Sequence, residues 1–289
     1  MINTPLPTLP GWSFWQDIHI GYEVKLQQNI RTGTTRIVDE HGRTIGGKQT
    51  EFLEPDTGGS DKPLVIIIPG LNNLKSNLRP LHQTLKNAGY QVINIEFPSN
   101  RRTTTEHALY LQALLDTLPG NKRDVSFITH SLGGLILRTA LADGYELPGH
   151  LKVEHILMIA PPHDGSFLAD RIYGIRWLRP LYNWVCGYVG YDLTREGARK
   201  LPLLNRSAGI LVGGNGSRWG FNPLAGEDND NQVAISSSKA VLMKDFLQIP
   251  GTHALMLHNP RTINAALEFI RYGTFNREEN GKGNSLWWF

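Results

Sequence analysis

The sequence contains the residue types of a serine nucleophile site, spaced so that a folded sheet could bring them together. Ser131 lies in Thr129–Gly134, directly after an apolar β-rich run and at the start of a helical pattern. A serine in such a strand-to-helix turn holds its hydroxyl above the carboxyl edge of a sheet, near the positive end of the helix dipole. We interpret Ser131 as the nucleophile of an acyl transfer. The alternative is a glycine-rich turn without chemistry.

Serine is a weak nucleophile at neutral pH, so it needs a base, and the base needs an acid that orients it. His253 follows a predicted strand and precedes the last predicted helix, which puts it at the same edge of the sheet. His258 is its rival. The acid is expected in the loop 227–230 between Ser131 and His253, where Asp230 is our choice and Asp228 the alternative.

Acyl transfer also requires backbone N–H donors for the negatively charged oxygen of the intermediate. The residue after the nucleophile, Leu132, supplies one donor. The turn after the first buried strand supplies the other, and we expect the N–H of Leu71 there because Pro69 has none. The oxyanion-hole prediction is therefore Leu71 and Leu132.

The surrounding pattern predicts alternating strands and helices from residue 64 onward. Apolar β-rich runs predict buried strands, and apolar residues spaced three and four apart predict the helices between them. Thr103 and Glu106 form the pattern of a capping box. The predicted strands are 64–68, 91–95, 125–128, 156–159, 209–212 and 244–249, and the predicted helices begin near 74, 103, 131 and 259. This alternation predicts an α/β protein with a mainly parallel sheet and helices on both faces.

Two regions fall outside the alternation. Residues 1–60 read as an antiparallel β-rich lead-in, with strand-like alternation in 18–24 and 35–38 and turn signals at 39–42 and at Gly46–Gly47. Residues 163–208 read as a helical, lid-like insertion. We expect a lead-in over 1–60, a core over 61–275 that contains the insertion, and a tail over 276–289.

These motifs together resemble the α/β-hydrolase superfamily, in particular bacterial lipases and esterases. The resemblance covers about residues 64–273, and its pieces are Pro69–Leu71, Gly89–Tyr90, Phe97–Ser99, Thr129–Gly134, Ala160–Ser166, Asn229–Asp230 with Val233, and Thr252–His253. It favours Asp230 over Asp228, because such families carry the acid in an Asn-Asp-x-x-Val stretch. The chain departs from the family at Thr129, where glycine is usual. A threonine there needs either wider strand–helix packing or a backbone acceptor for its hydroxyl.

The resemblance implies a serine hydrolase that cleaves carboxylic esters through an acyl-enzyme, with Ser131, Asp230 and His253 as the catalytic residues. An acyltransferase or thioesterase with the same residues is one alternative, and a non-catalytic binding protein on the same fold is the other. No cofactor or metal is expected. The expected partner is a small-molecule ester or lipid.

Two tryptophans of the insertion are predicted to contact substrate. Trp177 and Trp184 lie in 163–208, where aromatic side chains could bind acyl chains or make transient contact with a lipid interface. His163 is expected to line the cleft or cap a helix, since His163 and Asp164 are too few to form a metal site. Trp287 and Trp288 have no assigned role.

Composition narrows the classes of partner. The 289 residues carry a net charge of only +3 without a basic cluster, so nucleic-acid binding is not expected. The single cysteine, Cys186, excludes an internal disulfide framework. The apolar runs are short for a membrane helix, and no signal-peptide pattern is visible at the start. We therefore expect a cytoplasmic protein, although a removed signal would leave the same sequence and secretion stays open.

Overall fold

The computed structural model describes residues 15–19, 24–29, 35–39, 44–50, 62–72, 75–95, 99–118, 122–239 and 242–275. The predicted helix start near residue 74, the motif residue Phe97 and the predicted tail 276–289 lie outside the described residues.

A four-stranded antiparallel sheet occupies the lead-in, in the strand order β1-β2-β3-β4. Its strands are β1 Trp15–His19, β2 Val24–Asn29, β3 Thr35–Asp39 and β4 Thr44–Thr50. The predicted turn at Gly46–Gly47 is wrong, because both glycines lie inside β4. The register of β3 against β4 shifts at Ile37 and Val38, which is the irregularity that glycines in a strand often accompany.

A six-stranded parallel sheet forms the centre of the described core. The strand order is β10-β9-β8-β7-β5-β6, and all neighbours are parallel. The strands are β5 Leu64–Ile68, β6 Gln91–Asn94, β7 Arg123–His130, β8 Leu151–Ile159, β9 Ala208–Gly214 and β10 Met243–Pro250. The predicted α/β class with a mainly parallel sheet is confirmed.

Helices cover both faces of this sheet. They are α1 Lys75–Asn87, α2 Thr104–Thr117, α3 Leu132–Ala140, α4 Phe167–Gly174, α5 Arg179–Cys186, α6 Arg195–Lys200, α7 Ile235–Ser238 and α8 Pro260–Tyr272, with 3-10 turns at Gly187–Val189, Pro223–Ala225 and Leu255–His258. Successive side chains of β5 point to opposite faces of the sheet, as the two-residue period of a strand requires, and so pack with different helix layers. Ile66 packs in the cluster that contains α2 and α3, and Ile67 packs with α1 and α8.

Local signals set several helix ends as the sequence predicted. The capping box is present, since Glu106 N–H donates to the Thr103 hydroxyl and Thr103 N–H donates to the Glu106 carboxylate. Gly89 and Gly273, which follow α1 and α8, have positive φ angles of 93° and 70°. Helix α3 ends at Ala140 and not near Gly144. No helix among the described residues has the length and apolar character needed to cross a membrane.

The insertion is helical, as predicted. It contains α4, α5 and α6 between β8 and β9. Buried Arg138 of α3 fixes two points of it to the core, because its guanidinium donates to the carbonyl of Ala198 and, at 2.8 Å, to that of His163.

Candidate active site

Ser131 occupies the turn between β7 and α3 in a conformation that few residues adopt. Its φ is 50° and its ψ is −121°. Such backbone angles cost on the order of 1–3 kcal/mol for a residue with a side chain and are concentrated at functional sites. The surrounding packing holds them, since Ser131 N–H donates to the carbonyl of Ile159 at 2.9 Å.

Two glycines, Gly70 and Gly133, allow the first turn of α3 and the turn after β5 to approach each other, and Gly134 allows α3 to approach the chain after β8. A Cβ at Gly70 would lie 3.0 Å from the Cβ of Ser131, and one at Gly133 would meet the carbonyl of Ile68. A Cβ at Gly134 would lie 2.8 Å from Cβ of Pro161. The turn after β5 therefore lies directly beside the candidate nucleophile.

Thr129 departs from the usual glycine without gaining a hydrogen bond. Its hydroxyl is buried and has no hydrogen-bond partner among the described residues. Of the two alternatives, the backbone acceptor is therefore not seen among the described residues. Space comes from Gly134 instead, where an added Cβ would lie 3.4 Å from the Thr129 hydroxyl.

Asp230 and His253 form a buried pair at the carboxyl edge of the sheet. Oδ2 of Asp230 lies 2.6 Å from Nδ1 of His253, and both side chains are almost fully buried. The backbone reinforces the pair, because His253 N–H donates to the Asp230 carbonyl at 2.8 Å. Oδ1 of Asp230 accepts the N–H groups of Gln232 and Val233 at 3.0 and 2.8 Å. The carboxylate is thus held in one orientation, with one oxygen left for the imidazole.

The two sequence alternatives to this pair have other contacts. Asp228 accepts the backbone N–H groups of Asn215, Gly216 and Asn229 and the side-chain amide of Gln248, at 2.6–3.1 Å. It therefore holds the loop after β9. His258 is exposed on the last 3-10 turn. The structure therefore brings together Asp230 and His253, the two residues that the sequence analysis preferred over Asp228 and His258.

The contacts of Asn229 explain why an asparagine directly precedes Asp230. It is fully buried, and its side-chain amide donates to the carbonyls of Trp219, Asn222 and Glu227 at 2.8–3.1 Å. These bonds fix the loop that carries Asp230.

His130 links Ser131 to the His253 loop. Its Nε2 lies 3.2 Å from the carbonyl oxygen of His253, and the two imidazole rings are 4.9 Å apart. Burial, followed by the neighbouring His253, lowers the pKa of His130 to about 3. The neutral ring donates its Nε2–H to that carbonyl and packs in the turn, as the sequence suggested for it.

The two predicted oxyanion donors flank Ser131. Leu132 is the first residue of α3, where backbone N–H groups lack partners inside the helix. Leu71 lies in the turn after β5 and lines the same cavity as Ser131. Their role as donors stays a prediction.

An apolar cavity of about 380 Å³ opens beside Ser131. Helices α4 and α5 of the insertion supply much of its wall. Its lining residues are Leu71, Ser131, Pro162, Ser166, Leu168, Ala169, Ile172, Leu178, Leu181, Tyr182, Val185, Cys186, Leu193, Gln232 and Val233. Ligand sites are typically about 300–1,000 Å³ and mostly apolar with a few polar groups, and this cavity fits that description.

The structure places the two tryptophans of the insertion outside the cavity wall. Among the described residues, those that line the cavity include neither Trp177 nor Trp184, whose side chains are 78% and 79% exposed. Contact of the two tryptophans with a lipid interface stays a prediction.

His163 does not line the cavity among the described residues but lies in the core, 2% exposed. Its Nε2 lies 3.2 Å from the sulfur of Met158, and its Nδ1 lies 3.3 Å from a guanidinium nitrogen of Arg138. Burial, together with the charge of Arg138, lowers its pKa to about 3. His163 thus packs against the buried arginine that ties the insertion to α3. Sequence reasoning missed Arg138, and the only local signal was a charged residue inside an apolar helix.

Two arginines of α6 in the insertion have an acidic partner. Arg195 and Arg199 both pair with Asp164, at 3.4 and 2.5 Å, so they are not a free pair of cations. Within the described ranges, no three His, Cys, Asp or Glu side chains are grouped as metal ligands would be.

Comparison with solved structures identifies the fold. The mature form of the lipase BlEst2 of Bacillus licheniformis is similar over 75% of this chain and 94% of that chain, with 18% sequence identity and a TM-score of 0.52. A metagenomic carboxyl esterase is similar over 74% of this chain and 70% of its own, with 17% identity and a TM-score of 0.52. No family model matches the sequence, and no curated protein matches it significantly. The chain therefore has the α/β-hydrolase fold, which confirms the fold that the resemblance implied.

Proposed function

We propose that the protein is a serine hydrolase that cleaves carboxylic esters. The observation that carries the proposal is the buried bond of 2.6 Å between Asp230 and His253, formed at the sheet edge where Ser131 opens into an apolar cavity. The esterase and lipase activities in the names of the two similar structures agree with it.

In this mechanism, the hydroxyl oxygen of Ser131 attacks the acyl carbon while His253 takes its proton. The carbonyl oxygen becomes negatively charged and accepts the N–H groups of Leu71 and Leu132. His253 then gives the proton to the leaving alcohol. Water, activated by the same imidazole, attacks the acyl-enzyme and releases the acid. Asp230 keeps the Nδ1 proton of His253 in place, so that Nε2 can accept.

The cavity indicates the chemical character of the substrate. Leucine, isoleucine and valine side chains dominate its wall, and no charged side chain lines it among the described residues. We expect an uncharged ester whose apolar part lies between α4 and α5. The volume of about 380 Å³ is near the lower end of the usual range for ligand sites, which favours short and medium chains.

A fluorophosphonate probe tests the nucleophile. Labelling of the folded protein at Ser131, and loss of both labelling and ester turnover in Ser131→Ala, are the expected results. Ser126, which is also buried in β7 but lies away from the turn, provides the control Ser126→Ala. Absence of labelling, or turnover that survives Ser131→Ala, would contradict the proposal.

The substrate class needs a second measurement. We expect hydrolysis of p-nitrophenyl esters to fall once the acyl chain exceeds the cavity. Parallel assays with thioesters and with an added alcohol acceptor separate hydrolysis of esters from thioesterase and transferase activity.

The proposal includes contact with lipid through the outer face of α5 and Trp177, which precedes this helix. Trp177, Leu181 and Trp184 are strongly exposed, and Leu181 also lines the cavity. Residues 171–190 contain three arginines and no acidic residue, which favours an anionic lipid surface. Aromatic side chains beside arginines are typical of membrane-interface contacts.

Vesicle sedimentation and ester hydrolysis test this contact together. The double change Trp177→Ala and Trp184→Ala should weaken binding to anionic vesicles and hydrolysis of emulsified esters, while turnover of a soluble short-chain ester stays unchanged. Trp219→Ala is the matched control, since Trp219 is half exposed and lies on another loop, against Arg218. Equal vesicle binding by all three proteins would refute lipid contact.

A further inference from the structure

Asn72 adopts an unusual backbone conformation directly beside the active site. Its φ is 50°, in the left-handed region that asparagine tolerates better than most residues. Two hydrogen bonds hold it there. Its backbone N–H donates to the hydroxyl of Ser99 at 2.8 Å, and its side-chain amide donates to the carbonyl of Val185 at 3.2 Å.

These bonds connect three separate parts of the chain. Asn72 lies in the turn after β5, Ser99 precedes α2, and Val185 belongs to α5 of the insertion. The contact with α5 is reinforced nearby, because Tyr188 N–H donates to the carbonyl of Asn100 at 3.2 Å. Gly187 is packed so closely on Asn100 that an added Cβ would overlap its carbonyl oxygen.

The anchored turn is the one that carries a proposed oxyanion donor. Leu71 precedes Asn72 and lines the cavity with Ser131. The other end of the turn is fixed at Gly70, which packs against the Cβ of Ser131. Since the direction of the Leu71 N–H depends on the backbone on both sides of it, Asn72 completes the restraint.

We propose that Asn72 is a positioning residue that couples α5 to the turn after β5 and so holds the Leu71 N–H toward the acyl oxygen. The inference rests on the proposed ester hydrolysis. It also links the wall residue Val185 to the oxyanion hole, because the carbonyl of Val185 accepts the bond that restrains the turn.

Two substitutions separate the amide bond from the backbone conformation. Asn72→Gly tolerates a positive φ but has no side-chain amide to donate to the Val185 carbonyl. Asn72→Asp keeps the shape and the tolerance for this region, but its carboxylate cannot donate to the Val185 carbonyl. Loss of one oxyanion donor lowers kcat by about 10²–10³-fold, so a donor that is only misdirected should lower it by roughly 10–100-fold. KM should stay within about twofold, because the donor acts mainly in the transition state.

The assay measures kcat and KM for p-nitrophenyl acetate and for a medium-chain ester, with thermal unfolding of each variant. Asn205→Gly is the control, because Asn205 is also exposed and donates its amide to another residue, Asp143, remote in the sequence from the turn. A fall of kcat for both esters in both Asn72 variants supports the inference. Affinity for a trifluoromethyl ketone, which forms a tetrahedral adduct, should fall by the same factor.

Four other outcomes have defined meanings. Unchanged kcat overturns the inference. A rise of KM for the medium-chain ester alone also overturns it, since Asn72 would then only hold the cavity wall. If the Asn72 variants do not fold, Ser99→Ala removes the other bond to Asn72, and unchanged kcat there overturns the inference. A wild-type protein without ester turnover or fluorophosphonate labelling refutes the proposed function itself, which is a separate result.

Discussion

Replacement of Asp230 by asparagine exchanges one carboxylate oxygen of the candidate active site for an NH₂ group. Oδ1 of Asp230 accepts two backbone N–H groups, from Gln232 and Val233. In Asp230→Asn, the amide oxygen must take this position, because an NH₂ group there would face two donors. The amide nitrogen is then directed at Nδ1 of His253, which lies 2.6 Å from the carboxylate in the native protein.

The consequence is a change in the tautomer of His253. Nδ1 must accept from the amide, so the ring proton moves to Nε2, the nitrogen that should accept from Ser131. The equivalent change in a serine protease lowers kcat by about 10⁴-fold. We expect a loss of about 10³–10⁴-fold here. The free energy of unfolding should change little, since the two backbone bonds to Oδ1 are kept.

Asp228→Asn is the matched control for this substitution. It changes a neighbouring acid that accepts four N–H groups, including that of Gly216 and the amide of Gln248. An amide at Asp228 leaves donors unsatisfied, at a cost of about 1–3 kcal/mol in stability. We therefore expect a lower Tm for Asp228→Asn with much of kcat retained, which is the opposite of the Asp230 result.

The assay compares kcat for a soluble p-nitrophenyl ester, the rate of fluorophosphonate labelling and thermal unfolding for the three proteins. If folded Asp230→Asn retains kcat within about tenfold of wild type, or if Asp228→Asn loses as much activity, the assignment of the orienting acid is refuted.

Three further predictions test the packing of the site. Gly133→Ala should lower the free energy of unfolding by about 1–3 kcal/mol, and with it the Tm, because its Cβ would lie 2.8 Å from the Pro69 carbonyl oxygen. Gly174→Ala is the control and should leave the Tm unchanged, because its Cβ would meet no described atom within 4 Å. Ala169→Phe should fill part of the cavity and lower kcat/KM for medium-chain esters while acetate esters are still hydrolysed; equal losses for both would contradict this. The pKa of His163 is about 3 in the folded protein, so the unfolded chain takes up its proton first as the pH falls below about 6.5. Stability should therefore decline between about pH 6.5 and 3 by up to ~1.4 kcal/mol per pH unit from this group, and urea unfolding of His163→Gln should show a shallower decline.

Features of the fold that depend on neighbouring residues could be predicted from the sequence. The capping box at Thr103 requires only residues three apart. The buried strand Leu64–Ile68 and the turn at Ser131 are likewise local patterns of apolar and small residues. In this fold the acid and the histidine lie in loops after later strands, which is why the pairing of Asp230 with His253 could be predicted.

Contacts between distant parts of the chain could not be predicted in this way. Asn72 and Val185 are 113 residues apart, and nothing in either local sequence indicates that the amide of one donates to the carbonyl of the other. The same limit applies to the position of His163. Its partner Arg138 is brought to it by the packing of α3, and burial then makes it part of the core and not of the cavity wall.

The structure also separates two functions that the sequence assigned to the same tryptophans. Leu181 and Val185 are exposed and line the cavity, so a change at either affects both substrate binding and the outer face of α5. Trp177 and Trp184 are exposed but do not line the described cavity. Changes at the tryptophans should therefore alter the proposed contact with a lipid surface without altering the cavity proposed to hold the ester. Because Arg138 ties α6 to the core and Asn72 bonds to α5, the proposed surface is held in a fixed relation to Ser131. An ester drawn from a lipid surface would then reach the nucleophile along the wall formed by Leu181 and Val185.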